Sequence, residues 1–224
     1  MEKYSWSEPQ RFTAFPIAKP GYGIIGASAF ATAIFALIGF TGFAFLGLMI
    51  TFFICWFFRD PDRVIPTPKG AVVSPADGKV VIREVVEENP FIEGPCLKIS
   101  VFMSVLNVHV NRIPHEGKIS RVVYNPGKFF SANLDKASLD NEQNAVVLET
   151  ADGKKICFIQ IAGLIARRII CGIQAGDELV RGQRFGMICF GSRLDVFLPA
   201  DSRPEVSVGD KVQAGTSILG YLPE

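Results

Sequence analysis

From Pro20 to Phe58 the chain carries no charged residue, an uninterrupted run of 39. One straight helix of that length would reach about 58 Å, roughly twice the ~30 Å hydrocarbon core of a bilayer. The run is therefore expected to fold back on itself. Gly39-Phe40-Thr41-Gly42 is the natural break, because glycine weakens a helix interior. The halves are then about 19 and 16 residues, and the second is short for a full span, so a shallow or re-entrant hairpin stays open. Gly23, Ala27 and Ala31 recur every four residues and predict a smooth face for close helix contact. The run is too long and begins too late for a secretion signal. Lys3, Arg11 and Lys19 precede it, and Arg59, Arg63 and Lys69 follow it, which suits a hairpin with both ends in the cytoplasm. Gly21-Tyr22-Gly23-Ile24-Ile25-Gly26 has the GxGxxG spacing of dinucleotide sites, but it follows Pro20 rather than a strand. Packing between membrane helices explains it better.

The remainder has a different texture. Residues 59–70 (RDPDRVIPTPKG) read as a linker between a cytoplasmic segment with its hydrophobic helical hairpin (1–19 and 20–58) and a second domain (71–224). Nine short apolar runs are expected as strands: Ala71–Val73, Lys79–Val86, Cys96–Phe102, Lys118–Tyr124, Ala145–Glu149, Lys155–Ile161, Arg184–Phe190, Leu194–Leu198 and Ser217–Leu222. Turn signals such as Pro-Ala-Asp-Gly and Val-Gly-Asp separate them, so the fold class is mainly β, a barrel or sandwich. A helix is expected only over Leu164–Cys171. The tail Val208–Gly215, with Val73–Val80, resembles the hammerhead of biotinyl and lipoyl domains in architecture. Lys79 lacks the exposed hairpin frame of a carrier lysine.

Formal net charge is +1, so charge balance gives no reason to expect a nucleic-acid partner. Five widely spaced cysteines form neither a CxxC pair nor a secreted disulfide framework, and His109 and His115 complete no zinc pattern, so no metal is expected.

Chemistry concentrates around Gly191-Ser192, between two apolar runs. Taken alone, such a pair is a simple bulge or turn. Asp77 lies on a turn in Ser74-Pro75-Ala76-Asp77-Gly78, and His109 lies in Ser104–Pro114, SVLNVHVNRIP. An acid, a histidine and a serine on separate strands can supply an orienting group, a base and a nucleophile. Without further motifs, a tethered serine hydrolase and a hammerhead carrier domain stay open.

Five motifs in order narrow the choice: SPADG, SxxNVHVNRxP, NEQN (Asn141–Asn144), QIAGLIARRI (Gln160–Ile169) and FGSRLDVFLP (Phe190–Pro199). Together with the double hydrophobic run, they resemble the short phosphatidylserine decarboxylases over nearly the whole chain. Longer members carry LGST at the cleavage point and a second histidine near the position of Arg112, so no role is carried over from that histidine. The resemblance implies that Ser192 attacks the Gly191 carbonyl, with His109 as base oriented by Asp77. The chain then splits between 191 and 192, and Ser192 becomes a pyruvoyl cofactor that forms a Schiff base with the substrate amine. His109 would return a proton after carbon dioxide leaves. Arg193, Arg167 and Arg168 become candidates for substrate phosphate or carboxylate, since guanidinium binds both in bidentate fashion. Implied partners are a membrane phospholipid, the chain's own two fragments as a heterodimer, and a second copy. The implied location is the cytoplasmic face of the cell membrane. Phosphatidylserine and archaetidylserine both remain open as substrates.

Overall fold

The computed structural model describes residues 4–6, 16–128, 141–163, 168–189 and 191–223. The chain forms two compact units, Arg11–Asp62 and Arg63–Glu224 with Met1–Gln10. In the first, helices α1 (Tyr22–Leu37) and α2 (Thr41–Phe57) run on either side of a break at Gly39, whose φ of +82° favours glycine. Lys19–Leu37 is long and apolar enough to cross a membrane, whereas Thr41–Phe57 is apolar but shorter. No side chain of α1 is buried, and Phe30, Leu37, Phe45 and Phe52 are exposed, as suits lipid contact.

The helices meet on a different face from the expected one. A Cβ added to Gly23 would meet nothing within 4 Å, and Ala27 and Ala31 are exposed. Contact instead runs through hydroxyl residues: Ser28 Oγ lies 2.7 Å from Thr51 Oγ1, and a Cβ on Gly47 would fall 2.5 Å from Thr32 Oγ1. Hydroxyls on an apolar helix gain partners by facing one another, which outweighs the smoothness of the glycine–alanine stripe.

In the second unit the strands are β1 (Tyr4–Trp6), β2 (Val64–Pro66), β3 (Ala71–Val73), β4 (Gly78–Val86), β5 (Cys96–Met103), β6 (Val110–Arg112), β7 (Gly117–Asn125) and β8 (Gln143–Glu149). They continue as β9 (Lys155–Ala162), β10 (Ile169–Cys171), β11 (Glu178–Leu179), β12 (Arg184–Ile188), β13 (Ser192–Pro199), β14 (Arg203–Pro204), β15 (Lys211–Val212) and β16 (Ile218–Tyr221). The main sheet is antiparallel in the order β11-β7-β8-β9-β13-β5-β4-β15. Smaller sheets, β10-β12-β6 and β14-β16-β3, accompany it, and β1 pairs with β2. The mainly-β expectation holds, and each of the nine expected runs overlaps a strand.

Alternation along β13 separates two cores. Leu194, Val196 and Leu198 join the large cluster with Val101, Phe158 and Phe185, while Phe197 belongs to a second cluster with Cys157 and Ile159. The turn before β15 closes on β4: Val80 N donates to Asp210 O at 2.9 Å and Gly209 N to Val80 O at 2.8 Å.

Two expectations change. Of the helix expected over Leu164–Cys171, residues 164–167 lie outside the described ones, and Ile169–Cys171 is a strand paired with β12. Two adjacent β-branched isoleucines favour that outcome. The stretch expected as a linker contains β2, and its Ile65 is buried. Arg181 fastens it: Nη1 donates to Pro66 O at 3.1 Å and Pro68 O at 2.9 Å, while Nε and Nη2 grip both Glu116 oxygens at 2.8 and 2.7 Å.

Candidate active site

Strand register gathers distant motifs at one end of the main sheet. Ser192 stands opposite Met103 on β5 and Ala162 on β9. One step along, Arg193 pairs with Phe102, and Phe102 pairs with Lys79, so Gly78 of SPADG comes level with Met103. A Cβ on Gly78 would sit 2.2 Å from Phe102 O, so only glycine permits that approach. Across β9, Ala162 N donates to Glu142 O at 2.9 Å, and Asn141 Nδ2 donates to Ala162 O at 2.8 Å. SPADG, NEQN, QIAG and the Gly-Ser pair therefore share one sheet end, although they are spread from position 74 to position 192 of the chain.

Ser192 is fully buried, and its hydroxyl donates to Met103 Sδ at 3.4 Å. Gly191 has φ +66°, with nothing within 4 Å of an added Cβ, so its left-handed backbone faces open space beside the buried Ser192. Residues 189–191 connect β12 to β13. That connection starts beside His109, whose carbonyl accepts from Ile188 N at 3.4 Å, and ends on Ser192. His109 is buried, and an Asn107 turn leads into it: Asn107 Oδ1 accepts from Ser104 N at 2.9 Å and Ser104 Oγ at 2.7 Å.

Asp77 accepts from Arg63 Nη2 at 2.9 and 3.2 Å and from Ala214 N at 2.7 Å. Arg193 is fully buried and forms a fork with Asp195, at 2.8 and 3.0 Å. By strand alternation both side chains point away from the face that carries the Ser192 hydroxyl. Arg168 is exposed, and its charge bears on Cys189, whose thiol burial pushes up and Arg168 pulls down. Arg167 lies outside the described residues.

His115 is buried as well. Its Nδ1 lies 2.7 Å from Glu116 O, and it lines a cavity with Thr150 and Asp152, just past the far end of β8. The structure thus separates the two histidines, and only His109 belongs to the Ser192 end.

A model of the family described as phosphatidylserine decarboxylase matches residues 50–220. The chain is 48% identical over 207 residues to a phosphatidylserine decarboxylase proenzyme of Desulfotalea psychrophila, covering 92% of this chain and 97% of the relative. It is 54% identical over 177 residues to the proenzyme of Syntrophus aciditrophicus, covering 79% and 83%. With the proenzyme of Ralstonia pickettii the identity is 49% over 206 residues, covering 92% and 95%. The chain belongs to the phosphatidylserine decarboxylase family.

Within a phosphatidylserine decarboxylase frame, several residues at the site escaped sequence reasoning. Arg63 sat in the supposed linker, and its partner Asp77 follows only from tertiary contact. Met103 lies one residue past the expected run Cys96–Phe102, and it ends β5. Asn111, Gln160 and Asn144 lay inside the motifs, but only Gln160 fell in an expected strand, where its signal was a polar side chain in an apolar run, since a buried amide needs a partner.

Proposed function

We propose that the chain decarboxylates phosphatidylserine to phosphatidylethanolamine, releasing carbon dioxide, after cutting itself between Gly191 and Ser192 and converting Ser192 to a pyruvoyl group. The observation that carries this reading is the meeting of the family's motifs at a buried Ser192 preceded by a left-handed Gly191.

Ser192 Oγ attacks the Gly191 carbonyl carbon, and His109 takes the serine proton. The peptide bond becomes an ester, and the freed amine stays on residue 192. Loss of the Cα proton and of the Gly191 carboxylate opens the chain and leaves a dehydroalanine, which water converts to a ketone and ammonia. Asp77 orients this step from the same sheet end, and Arg63 holds its carboxylate in place.

The surroundings fit a protein-derived carbonyl: Ser192 and its strand neighbours Met103 and Ala162 are buried, while the adjoining Gly191 opens to the side from which water and substrate can approach. The pyruvoyl group supplies an electrophile for the substrate amine and an electron sink as carbon dioxide leaves. His109 then returns a proton to the substrate, a task open to an imidazole because one ring nitrogen can give up the proton that it took. Arg168, exposed beside the 189–191 connection, is assigned to the headgroup phosphate. Arg193 is committed to Asp195 and steadies β13 beneath the reactive residue. The apolar hairpin holds the enzyme on the cytoplasmic face of the membrane that contains its substrate. The two fragments remain together, because β13 is hydrogen-bonded to β5 and β9 along its length.

Intact mass and a denaturing gel test the reading. The purified enzyme should contain a fragment of residues 1–191 and one of residues 192–224 whose N-terminus is blocked to Edman sequencing. Ser192→Ala should stay whole and inactive. Asp77→Asn should mature slowly, with substantial turnover in the molecules that do mature. An uncut chain with full decarboxylase activity would overturn the proposal.

A further inference from the structure

A chain of buried amides ends beside Ser192. Asn144 Nδ2 donates to Gln160 Oε1 at 3.1 Å, Gln160 Nε2 donates to Asn111 Oδ1 at 2.9 Å, and Asn111 Nδ2 donates to Met103 Sδ at 3.7 Å. That sulfur also receives the Ser192 hydroxyl. Asn111, Gln160, Met103 and Ser192 are all fully buried.

An amide can be turned end for end, so the direction of such a chain needs an anchor. Ile170 O is the anchor: Gln160 Nε2 lies 3.4 Å from this carbonyl, which can only accept. Gln160 must keep its NH2 on that side. Asn111 must then turn its oxygen toward Gln160, and its NH2 faces Met103 and position 192. A thioether is a weak acceptor, and a buried N–H matched only to a weak acceptor is costly to maintain.

On the function proposed above, processing changes what position 192 asks of its neighbours. Serine brings two donors, a backbone N–H and a hydroxyl. A pyruvoyl residue has neither, and its polar atoms are carbonyl oxygens that only accept. A second fixed donor beside an already donating serine serves little purpose, whereas beside a ketone it finds its acceptor. We propose that Asn111 is the hydrogen-bond donor to the carbonyl oxygen at position 192 of the mature enzyme, with Gln160 and Asn144 as positioning residues that fix the polarity of its amide. Such a bond draws electron density onto oxygen and makes the carbon more open to the substrate amine.

Asn111→Leu keeps the volume and removes the donor. Gln160→Met keeps the length and removes the N–H that orients Asn111. Both full-length variants should still split into two fragments. Carbon dioxide release per cleaved chain should fall roughly 10²-fold in Asn111→Leu, the usual loss for one such donor, and by less in Gln160→Met. The fall should lie in kcat rather than KM. In infrared difference spectra the carbonyl band of the mature protein should move to higher frequency in both variants. A merely structural role for residue 160 would leave that band in place. Mature variants with wild-type turnover and an unmoved band would overturn the assignment. So would failure of both variants to cleave, because that outcome places the amide chain before processing. If the wild-type protein itself lacks two fragments and a carbonyl, the proposed function fails rather than the role of Asn111.

Discussion

His109 and His115 stand six residues apart and meet opposite surroundings. His109 lies where the 189–191 connection begins. His115 lies past the other end of β8, whose seven residues span about 20 Å. Burial pushes the His115 pKa below 6.5, and Arg181 adds to the effect, while the Glu116 carbonyl and carboxylate pull the other way. The sign of the stability effect follows. Below about pH 6.5 the unfolded chain takes up a proton that the folded chain refuses, so stability falls with pH until the folded pKa is reached. His115→Gln should remove this part of the slope. Urea midpoints at pH 7 and pH 5 should therefore differ less in the variant than in the wild type, while cleavage and turnover stay near normal. Equal slopes in the two proteins would refute the account of His115, and loss of cleavage in His115→Gln would show that the base had been assigned to the wrong histidine.

At the scale of elements, β12 matters more than its five residues suggest. It pairs with β10 on one side and β6 on the other, and it breaks register between Arg184 and Gly186. Gly186 sits at that irregularity because a Cβ there would fall 2.2 Å from Ile170 O and 3.0 Å from Gln160 Nε2. The glycine thus leaves room for the carbonyl and the amide that set the direction of the buried chain. Gly186→Ala should destabilise the protein by about 1–3 kcal/mol, the usual cost of overpacking. It should also lower turnover per cleaved chain, because Gln160 is displaced. Urea denaturation with a carbon dioxide assay normalised to cleaved protein checks both effects. Full turnover in a correctly cleaved Gly186→Ala enzyme would contradict the link between this bulge and the site.

For the whole molecule, the division into two units decides what can be removed. The proposed chemistry lies beyond Gly70, and the long uncharged run lies wholly within 11–62. Deleting residues 1–58 should release the β unit into the soluble fraction, with self-cleavage intact. The deletion also strips β1 from β2, so some stability should be lost at that newly bare strand edge. Arg181 still fastens the segment after β2 through Pro66 and Pro68, which should keep Arg63 on Asp77. Membrane flotation in high salt, followed by a cleavage time course, tests the expectation. A truncated protein that still floats with vesicles would reveal a second anchor in the β unit.

Patterns set by neighbours along the chain were legible before any coordinates. The hydrophobic run, its break at Gly39, the nine apolar strands and the order of the motifs depend on local periodicity, glycine placement and residue type. Ser192, His109 and Asp77 stood out because chemically able residues occurred in recognisable frames. Tertiary structure decided what depends on pairing across the sheet. Register placed Gly78, Met103, Ser192 and Ala162 abreast, gave Asp77 to Arg63, and gave Arg193 to Asp195 on the far face. It turned Ile169–Cys171 into a strand and chose the Ser28 and Thr51 face over the Gly23 stripe. Such outcomes escape a linear reading because a shift of one residue in register moves every side chain to the opposite face. A buried polar group likewise takes whichever partner the fold brings near, however far apart the two lie in the chain.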